Sequence, residues 1–444
     1  MEKYNDYKDS GVEWLGKIPE HWEVKRLKDI SHVQSSNVDK KIKEGQKPVF
    51  LCNYVDVYKN DFIDNTIKFM PSTASESEIK RFSLEVGDIM FTKDSESFDD
   101  IANSAVVVEE LKDIICGYHL AHVRADRKYL VPNYLSKLFQ SVDYNYWFQI
   151  NATGITRVGL GLSAIRNSLT ILPPISEQTQ IATYLDTKTT AIDKKIILLK
   201  RKIKHYKAYR KTLIYEAVTK GLDKKVKLKN SDIDWIGKIP EHWEVKRIKD
   251  IFNTLAGGTP STKEASYWIG DIPWIPSGAV QNGEVNKDIV SSYISEEALL
   301  KSSTKIAKRD SILIALTGAT CSNIGYLNFD TTINQSIVSI DSNHKVASHR
   351  YYFYFLVSAK EKIRTLMTGG AQGGINQGDI KYFKVCFTSN KEQKQIADFL
   401  DAKATSIDLI LKNIEIQINT LKEFRKTLIN EVVTGKVKVS SDLQ

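Results

Sequence analysis

Trp14-Leu15-Gly16-Lys17-Ile18-Pro19-Glu20-His21-Trp22-Glu23-Val24-Lys25-Arg26-Leu27-Lys28-Asp29-Ile30 recurs 221 residues later, from Trp235 to Ile251, as Trp235-Ile236-Gly237-Lys238-Ile239-Pro240-Glu241-His242-Trp243-Glu244-Val245-Lys246-Arg247-Ile248-Lys249-Asp250-Ile251. Fifteen of the seventeen positions are identical and the other two exchange Leu for Ile, so the chain is an internal duplication. A second pair of segments repeats at an offset of 215. Glu177-Gln178, Ile181-Ala182 and Leu185-Asp186 match Glu392-Gln393, Ile396-Ala397 and Leu400-Asp401, and Arg210-Lys211-Thr212-Leu213-Ile214 matches Arg425-Lys426-Thr427-Leu428-Ile429. The order is short repeat, variable block, long repeat, taken twice. The two blocks, about 31–175 and 252–390, show little obvious similarity to each other.

The long repeats read as helices. Ala182, Leu185, Thr189, Ile192, Ile196, Leu199, Ile203, Tyr206, Arg210, Leu213 and Ala217 fall at alternating steps of three and four. Ala397, Leu400, Ala404, Ile407, Leu411, Ile414, Ile418, Leu421, Arg425, Leu428 and Val432 keep the same phase. A repeat near 3.5 sustained over several heptads, with no proline, is the seam of a coiled coil. The plainer alternative is an amphipathic helix lying on a larger core. Two matched helices in one chain are expected to pack on each other, antiparallel because a globular block separates them. About forty residues of helix span roughly 60 Å, enough to hold the two blocks apart as a spacer. From Lys188 to Lys211 the first helix carries ten lysines and arginines against one acid, Asp193, a solvated face or a support along phosphates.

In the variable blocks, Ser104–Val108 and Ser311–Leu316 read as strands. Gly257-Gly258-Thr259-Pro260, Thr317-Gly318-Ala319-Thr320 and Gly369-Gly370-Ala371-Gln372-Gly373-Gly374 read as loops. Tyr351–Met367 reads as an aromatic-rich amphipathic helix and Asn133–Ile150 as its counterpart. Ser72–Ser77 reads as a capped helix start ahead of Glu78.

The chain has 444 residues, enough for two to three domains, and is 42% hydrophobic and 26% charged, the balance of a globular protein. Its formal charge of +9 favours a polyanionic partner. No stretch of eighteen apolar residues occurs, and the polar start, Met1-Glu2-Lys3-Tyr4-Asn5-Asp6, carries no apolar signal region, so a cytoplasmic location is expected. Cys52, Cys116, Cys321 and Cys386 are scattered, which speaks against a zinc site or a disulfide framework.

Catalytic motifs are missing. Gly159-Leu160-Gly161-Leu162-Ser163-Ala164 fits a relaxed dinucleotide pattern but lacks the preceding strand and the ribose-binding acid. Leu172-Pro173-Pro174-Ile175 lacks the Asp or Asn, and the aromatic, that flank a methyltransferase proline pair. There is no phosphate loop, and Asp64 with Glu78-Ile79-Lys80 makes a poor nuclease pattern. The histidines do not cluster at ligand spacing, and His21 and His242 are expected to fix a turn. No catalytic residue, bound metal or cofactor is expected.

Taken together, the duplicated Trp-to-Arg motif, the Glu-Gln-x-x-Ile-Ala opening of each long helix, Gly257–Thr262 with Tyr267-Trp268 and Ile272-Pro273-Trp274-Ile275, Gly87-Asp88-Ile89 and Pro173-Pro174 are specific. Over nearly its whole length the chain resembles the specificity subunit of type I restriction–modification enzymes. The resemblance implies an α+β chain with two α/β target-recognition domains. These are joined by two long antiparallel coiled-coil helices with an internal pseudo-two-fold repeat. Each domain would read one half of a split, asymmetric site in double-stranded DNA. Two methyltransferase subunits would dock on the helical frame, and endonuclease–translocase subunits can then join. S-adenosylmethionine, ATP and magnesium would belong to those partners, and no membrane is involved. The layout expected is 1–175 for the first recognition domain, 176–221 for the first long helix, 222–390 for the second domain, and 391–444 for the second helix and tail.

The first block departs from the usual pattern. Thr153–Ser163 stands where the second has the glycine-rich run to Asn376, with a shorter run to the following helix. Asn334-Gln335-Ser336 is expected to correspond to Tyr118-His119-Leu120. Specificity needs side chains that present hydrogen-bonding groups to base edges, whereas phosphate contacts set register. The DNA-contact candidates are Lys93, Ser95, His119 and Arg157 in the first block, and Thr259, Lys263, Ser277, Gln335, Gln372 and Asn376 in the second. Each could equally be an ordinary surface residue. The competing function is a coiled-coil adaptor whose globular domains bind proteins.

Overall fold

The computed structural model describes residues 2–342, 346–369 and 373–439, and the chain divides into two compact units. The first comprises Met1–Lys200 with Glu415–Gln444, the second Arg201–Ile414. The division passes through both long helices, Ile175–Lys220 and Asn390–Val433, so each unit contains one globular block and a segment of each helix.

The short repeat anchors each long helix. Its strand Glu23–Arg26 pairs antiparallel with Leu169–Leu172, the strand that leads into the first long helix. Glu244–Arg247 does the same with Lys384–Phe387 ahead of the second. That ribbon brings His21 and the fully buried Trp22 to the helix start, where His21 Nε2 lies 2.8 Å and Trp22 Nε1 3.2 Å from one Glu177 carboxylate oxygen. His242 and Trp243 meet Glu392 at 3.0 and 3.1 Å. The carboxylate is well placed at a helix N-terminus, where unpaired amides and the macrodipole favour negative charge. The next residue is buried and ties backbone together. Gln178 accepts from Val131 N and donates to Tyr129 O and Pro173 O; Gln393 accepts from Ser348 N and donates to Thr388 O. The repeated Trp, His, Glu and Gln are thus a clasp, and the two histidines bind a helix start besides belonging to a turn.

Within each unit the helix segments run antiparallel. In the first, Glu177 lies by Trp22, which also borders Gly435 beyond the end of the second helix, and farther along Asp193 pairs with Arg425 at 3.2 Å. In the second, Gly221 borders Glu392 and Trp243, and Arg210 pairs with Asp408 at 2.6 Å. The seam positions Leu185, Ile192, Ile196, Leu400, Ile407, Ile414, Ile418 and Leu428 are buried, and Leu199, Ile203, Leu213, Leu411 and Leu421 are half-buried. Off-seam Ile197 and Leu198 are exposed. Away from the helix ends, burial of only every third or fourth residue makes a coiled-coil seam, while Ile396, Ala397 and Leu400 at the start of the second helix belong to the core of their block. Each buried aliphatic side chain contributes about 1.5–3 kcal/mol.

The variable blocks, unlike in sequence, share one sheet. In the first the strand order is Ser31–Ser35, Leu120–Ala125, Asp88–Thr92, Ser104–Val107, Phe62–Ile63. In the second it is Asn253–Ala256, Ile337–Asp341, Ile312–Ala315, Ile324–Leu327, Gly283–Val285. In both, the last pair is parallel and the others antiparallel. A smaller sheet accompanies each: Lys47–Cys52 is central in the first, and Ile272–Ile275 lies beside Thr331–Ile333 in the second.

The shorter elements follow the sequence pattern unevenly. Ser75 caps Glu76–Phe82 and forms a capping box with Glu78. His349–Arg364 is a single helix, but the expected counterpart is two, Pro132–Phe139 and Val142–Asn151. Ser141 separates them: its hydroxyl donates to Leu138 O at 2.8 Å and accepts from Tyr144 N, ending one helix and capping the next. Thr317–Thr320 includes a short 3-10 turn at Gly318–Thr320.

Docking of the first block on its helix uses a buried cation. Lys137, 2% exposed, sits 3.2 Å from Asp186 and 3.4 Å from Asp61, while Asn133 donates to Asp186 at 2.9 Å. In the second unit the matching Asp401 takes Arg350 at 2.7 Å and the Tyr354 hydroxyl.

Candidate functional site

Three strand ends meet at one edge of the first block. Asp94–Ser95 continues the central sheet strand beyond Lys93, and pairs with Val158–Leu160, which pairs in turn with Ala152–Thr153. The turn before Leu120 runs alongside, with Lys93 N donating to His119 O and Tyr118 N to Val38 O. These segments line an open concavity of about 810 Å³ into which Ser95, His119 and Arg157 all face, with Asp94, Tyr54 and Tyr58.

His119 has a φ of +72°, a left-handed conformation costing a non-glycine residue about 1–2 kcal/mol. Its Nδ1 lies 2.5 Å from Asp94 Oδ2, and its ring packs at 3.7 Å between centroids on Tyr118. Tyr54 and Tyr58 stack at 5.7 Å one helical turn apart. The Tyr58 hydroxyl donates to Asp100 at 2.8 Å, and that bond, with the Asp100 charge, pushes its pKa up. Burial first, then the Asp100 and Asp94 charges, raise that of Tyr54. Both phenols are therefore hydrogen-bonding groups that stay protonated near neutral pH. Behind this edge, burial alone would raise the Asp88 carboxyl, but Arg124, 2.7 Å away, and the buried His122, at 2.9 Å, hold it below the usual carboxylate range.

The hydrogen bonds also set the correspondence between the units. His119 O accepts from Lys93 N as Ser336 O accepts from Leu316 N, and Leu120 O accepts from Ser36 N as Ile337 O accepts from Gly257 N. Tyr118 therefore corresponds to Gln335 and His119 to Ser336, one residue out of step with the sequence expectation, because sheet pairing rather than side-chain likeness sets the register. Asp94 opposite Gly159 matches Thr317 opposite Gly374. Counting back two residues along the sequence sets Arg157 against Gln372, which lies outside the described residues.

In the second unit, exposed Gln335 is joined by its side-chain carbonyl to the hydroxyl of Thr259. Thr259 is brought there by Gly257, whose added Cβ would lie 2.0 Å from Asn334 O, so the two backbones touch only because no side chain intervenes. Trp274 Nε1 donates to Gly258 O at 3.2 Å and packs edge-on against Trp268 at 5.0 Å. Lys263 is exposed on the same loop, and Ser277 opens a short turn two residues beyond Ile275, whose carbonyl accepts from Asn334 N. Asn376 caps Gln377–Tyr382, its carbonyl taking Asp379 N at 2.9 Å, so that group is already used. Lys93 is half-buried at the strand end, its backbone bridging Leu160 and His119.

Asp94, Tyr54, Tyr58 and Tyr118 were not among the sequence candidates. The Tyr54 and Tyr58 spacing of four is a legible hint; the meeting of Asp94 with His119 is not. Among the described residues no group of three or more His, Cys, Asp and Glu could hold a metal ion, and no helix is long and apolar enough to cross a membrane.

Comparison with known proteins agrees with this architecture. The chain is similar to the putative type I restriction enzyme MjaX specificity subunit of Methanocaldococcus jannaschii, at 24% identity over 430 residues and 96% of each chain. Its fold is similar to that of the HsdS subunit from Thermoanaerobacter tengcongensis (TM-score 0.56, 15% identity, 95% of this chain and 98% of the other). It is also similar to a chain from a structural study of complex assembly and conformational transition in the type I restriction–modification system (TM-score 0.72, 15% identity, 95% and 99%). The model of the type I restriction modification DNA specificity domain matches twice, on residues 19–204 and 240–420. The chain therefore belongs to the type I restriction–modification DNA specificity family, as a DNA-recognition subunit that works with other subunits of such a system and is not itself catalytic.

Proposed function

We propose that the two units read the two halves of one split, asymmetric site in double-stranded DNA. The observation that carries this reading is chemical difference on equal scaffolds. The same sheet edge presents Asp94, Tyr118 and His119 in the first unit and Thr317, Gln335 and Ser336 in the second. Base edges are told apart by hydrogen-bonding pattern, so unlike side chains at matched places read unlike sequences. Ser95, His119 and Arg157 in the first unit, and Thr259, Lys263, Ser277, Gln335 and Gln372 in the second, are the contacts proposed. Lys93 and Asn376 support them at strand end and helix cap.

Two methyltransferase subunits dock on the helical frame in this reading, and endonuclease–translocase subunits join them in the cytoplasm. S-adenosylmethionine, ATP and magnesium are bound by those partners. The functional division is 1–175 and 222–390 for reading, with 176–221 and 391–444 as the frame. The exposed lysines of the first helix favour phosphates nearby: Lys194 and Lys200 line a cleft with Lys59, Lys422 and Lys426. Single-base-resolution mapping of DNA methylation in cells with and without the chain tests the proposal. A bipartite asymmetric motif should be modified only when the chain is present. Unchanged methylation together with salt-insensitive DNA binding would favour the protein-binding adaptor instead.

A further inference from the structure

Two side chains at the reading edge of the first unit are arranged more tightly than a surface loop requires. His119 is held in a left-handed backbone conformation by the bonds on either side of it, Tyr118 N to Val38 O at 2.9 Å and Lys93 N to its own carbonyl at 3.4 Å. Such backbone persists where the surroundings over-determine it, and it concentrates at functional positions. The ring is gripped twice, by the tilted ring of Tyr118 beside it and by Asp94 at Nδ1. Asp94 in turn sits on a strand paired through Gly159, and its other carboxylate oxygen lies 3.6 Å from where a Gly159 Cβ would stand. Nε2 of His119 takes no hydrogen bond or ion pair among the described residues, although the ring is about a quarter exposed and borders the concavity beside Arg157.

We infer that His119 is a base-reading residue of the first unit, with Asp94 as its positioning residue, and that its Nε2 accepts a hydrogen bond from the exocyclic amino group of an adenine or a cytosine in the major groove. The inference rests on the reading of this unit as a DNA-reading block and deepens it. A carboxylate accepts and cannot donate, so in the neutral imidazole Asp94 fixes the ring proton on Nδ1 and leaves the lone pair on Nε2. A lone pair held at a fixed angle needs a donor. In the major groove the donors are adenine N6 and cytosine N4, whereas guanine and thymine offer acceptors there. The second unit has Thr317 and Ser336 at these two places, so it reads without this device.

The test uses the full chain assembled with the methyltransferase subunits of its system, selecting bound duplexes from a randomised library and sequencing them. His119→Asn removes the imidazole while keeping a residue that accepts left-handed backbone. It should relax selection about tenfold at one base pair of the half-site read by the first unit, and leave the other half-site intact. Asp94→Asn keeps the ring but can present an amide N–H to Nδ1, which moves the ring proton to Nε2. Preference at that same base pair should turn from the amino donor of adenine or cytosine toward bases that present acceptors, with guanine, which offers both O6 and N7, gaining most. If His119→Asn fails to assemble, Asp94→Asn decides alone. Selection unchanged at every position, selection weakened equally at all positions, or effects of the two variants at different base pairs would each overturn the inference while leaving the functional reading in place. A wild-type complex that selects no bipartite site would overturn the functional reading, and the inference with it.

Discussion

The two units build the same five-stranded sheet and clasp the same helical frame, yet they solve two local problems with different chemistry. At the reading edge the first unit holds an imidazole with a carboxylate, and the second holds an amide with a hydroxyl. At the frame the first buries a lysine between Asp61 and Asp186, and the second leaves Arg350 a quarter exposed between Glu284 and Asp401. The clasp scarcely varies: Trp22, His21, Glu177 and Gln178 against Trp243, His242, Glu392 and Gln393. What must hold the start of a long helix stays the same, and what faces outward is free to differ.

Removing one of the two repeats altogether should have the largest effect. Residues 1–221 carry one block, one clasp and one helix, with Asp193 and Arg210 at the places that Asp408 and Arg425 hold in the other repeat. Two such half-chains should pair through Ile192–Leu213, each Asp193 meeting the other copy's Arg210. A dimer of this kind reads two inverted copies of a single half-site, because symmetric proteins read symmetric DNA. Methylation mapping with the half-chain in place of the full chain gives the answer. Modification of the original asymmetric site alone would show that the copies are not interchangeable.

Lengthening both helices changes what the units share without touching either reading edge. One heptad inserted after Leu199 and one after Ile414 keep every seam layer in phase and add about 10 Å to each helix. Both half-site sequences should survive while their separation grows by about one to three base pairs. A functional variant with an unchanged gap would show that something other than the frame sets the spacing.

Smaller effects come from the frame contacts. Lys137→Ala removes a buried cation shared by Asp186 and Asp61, leaving Asp186 with Asn133 and Asp61 with Arg425, and should cost about 2 kcal/mol. Arg350→Ala should cost about 1 kcal/mol, because that pair is more solvated and Asp401 keeps the Tyr354 hydroxyl. Urea unfolding followed by tryptophan fluorescence compares them, and equal losses would show that burial does not separate the two docks. The last comparison is between the glycines after the long helices, both left-handed. A Cβ on Gly435 would lie 2.4 Å from Pro19, whereas on Gly221 the nearest atoms are 3.4 Å away. Gly435→Ala should cost about 2 kcal/mol and Gly221→Ala about 1 kcal/mol, read as shifts in unfolding midpoint. An equal shift would mean that backbone conformation alone sets the cost.

Much of the frame is legible in the residues themselves. The seam is, because helix burial repeats every three or four positions and each placement depends on near neighbours. So is the Ser75 cap, whose partner Glu78 lies three residues on. The duplication shows as repeated residues, though not its job: Trp22 and Glu177 are 155 positions apart, and only the ribbon of Glu23–Arg26 with Leu169–Leu172 brings them together. Ser141 shows a local rule overridden, one hydroxyl dividing a helix that the apolar pattern runs straight through. Tertiary structure alone decided that two dissimilar blocks are one fold and that Tyr118 rather than His119 matches Gln335. It also decided that Asp94 holds His119. Strand order and register come from backbone pairing between distant segments, and a sheet accepts many sequences so long as its inward positions are apolar. The residues therefore announce a frame built twice, and the folding of that frame chose which side chains stand at its reading edges.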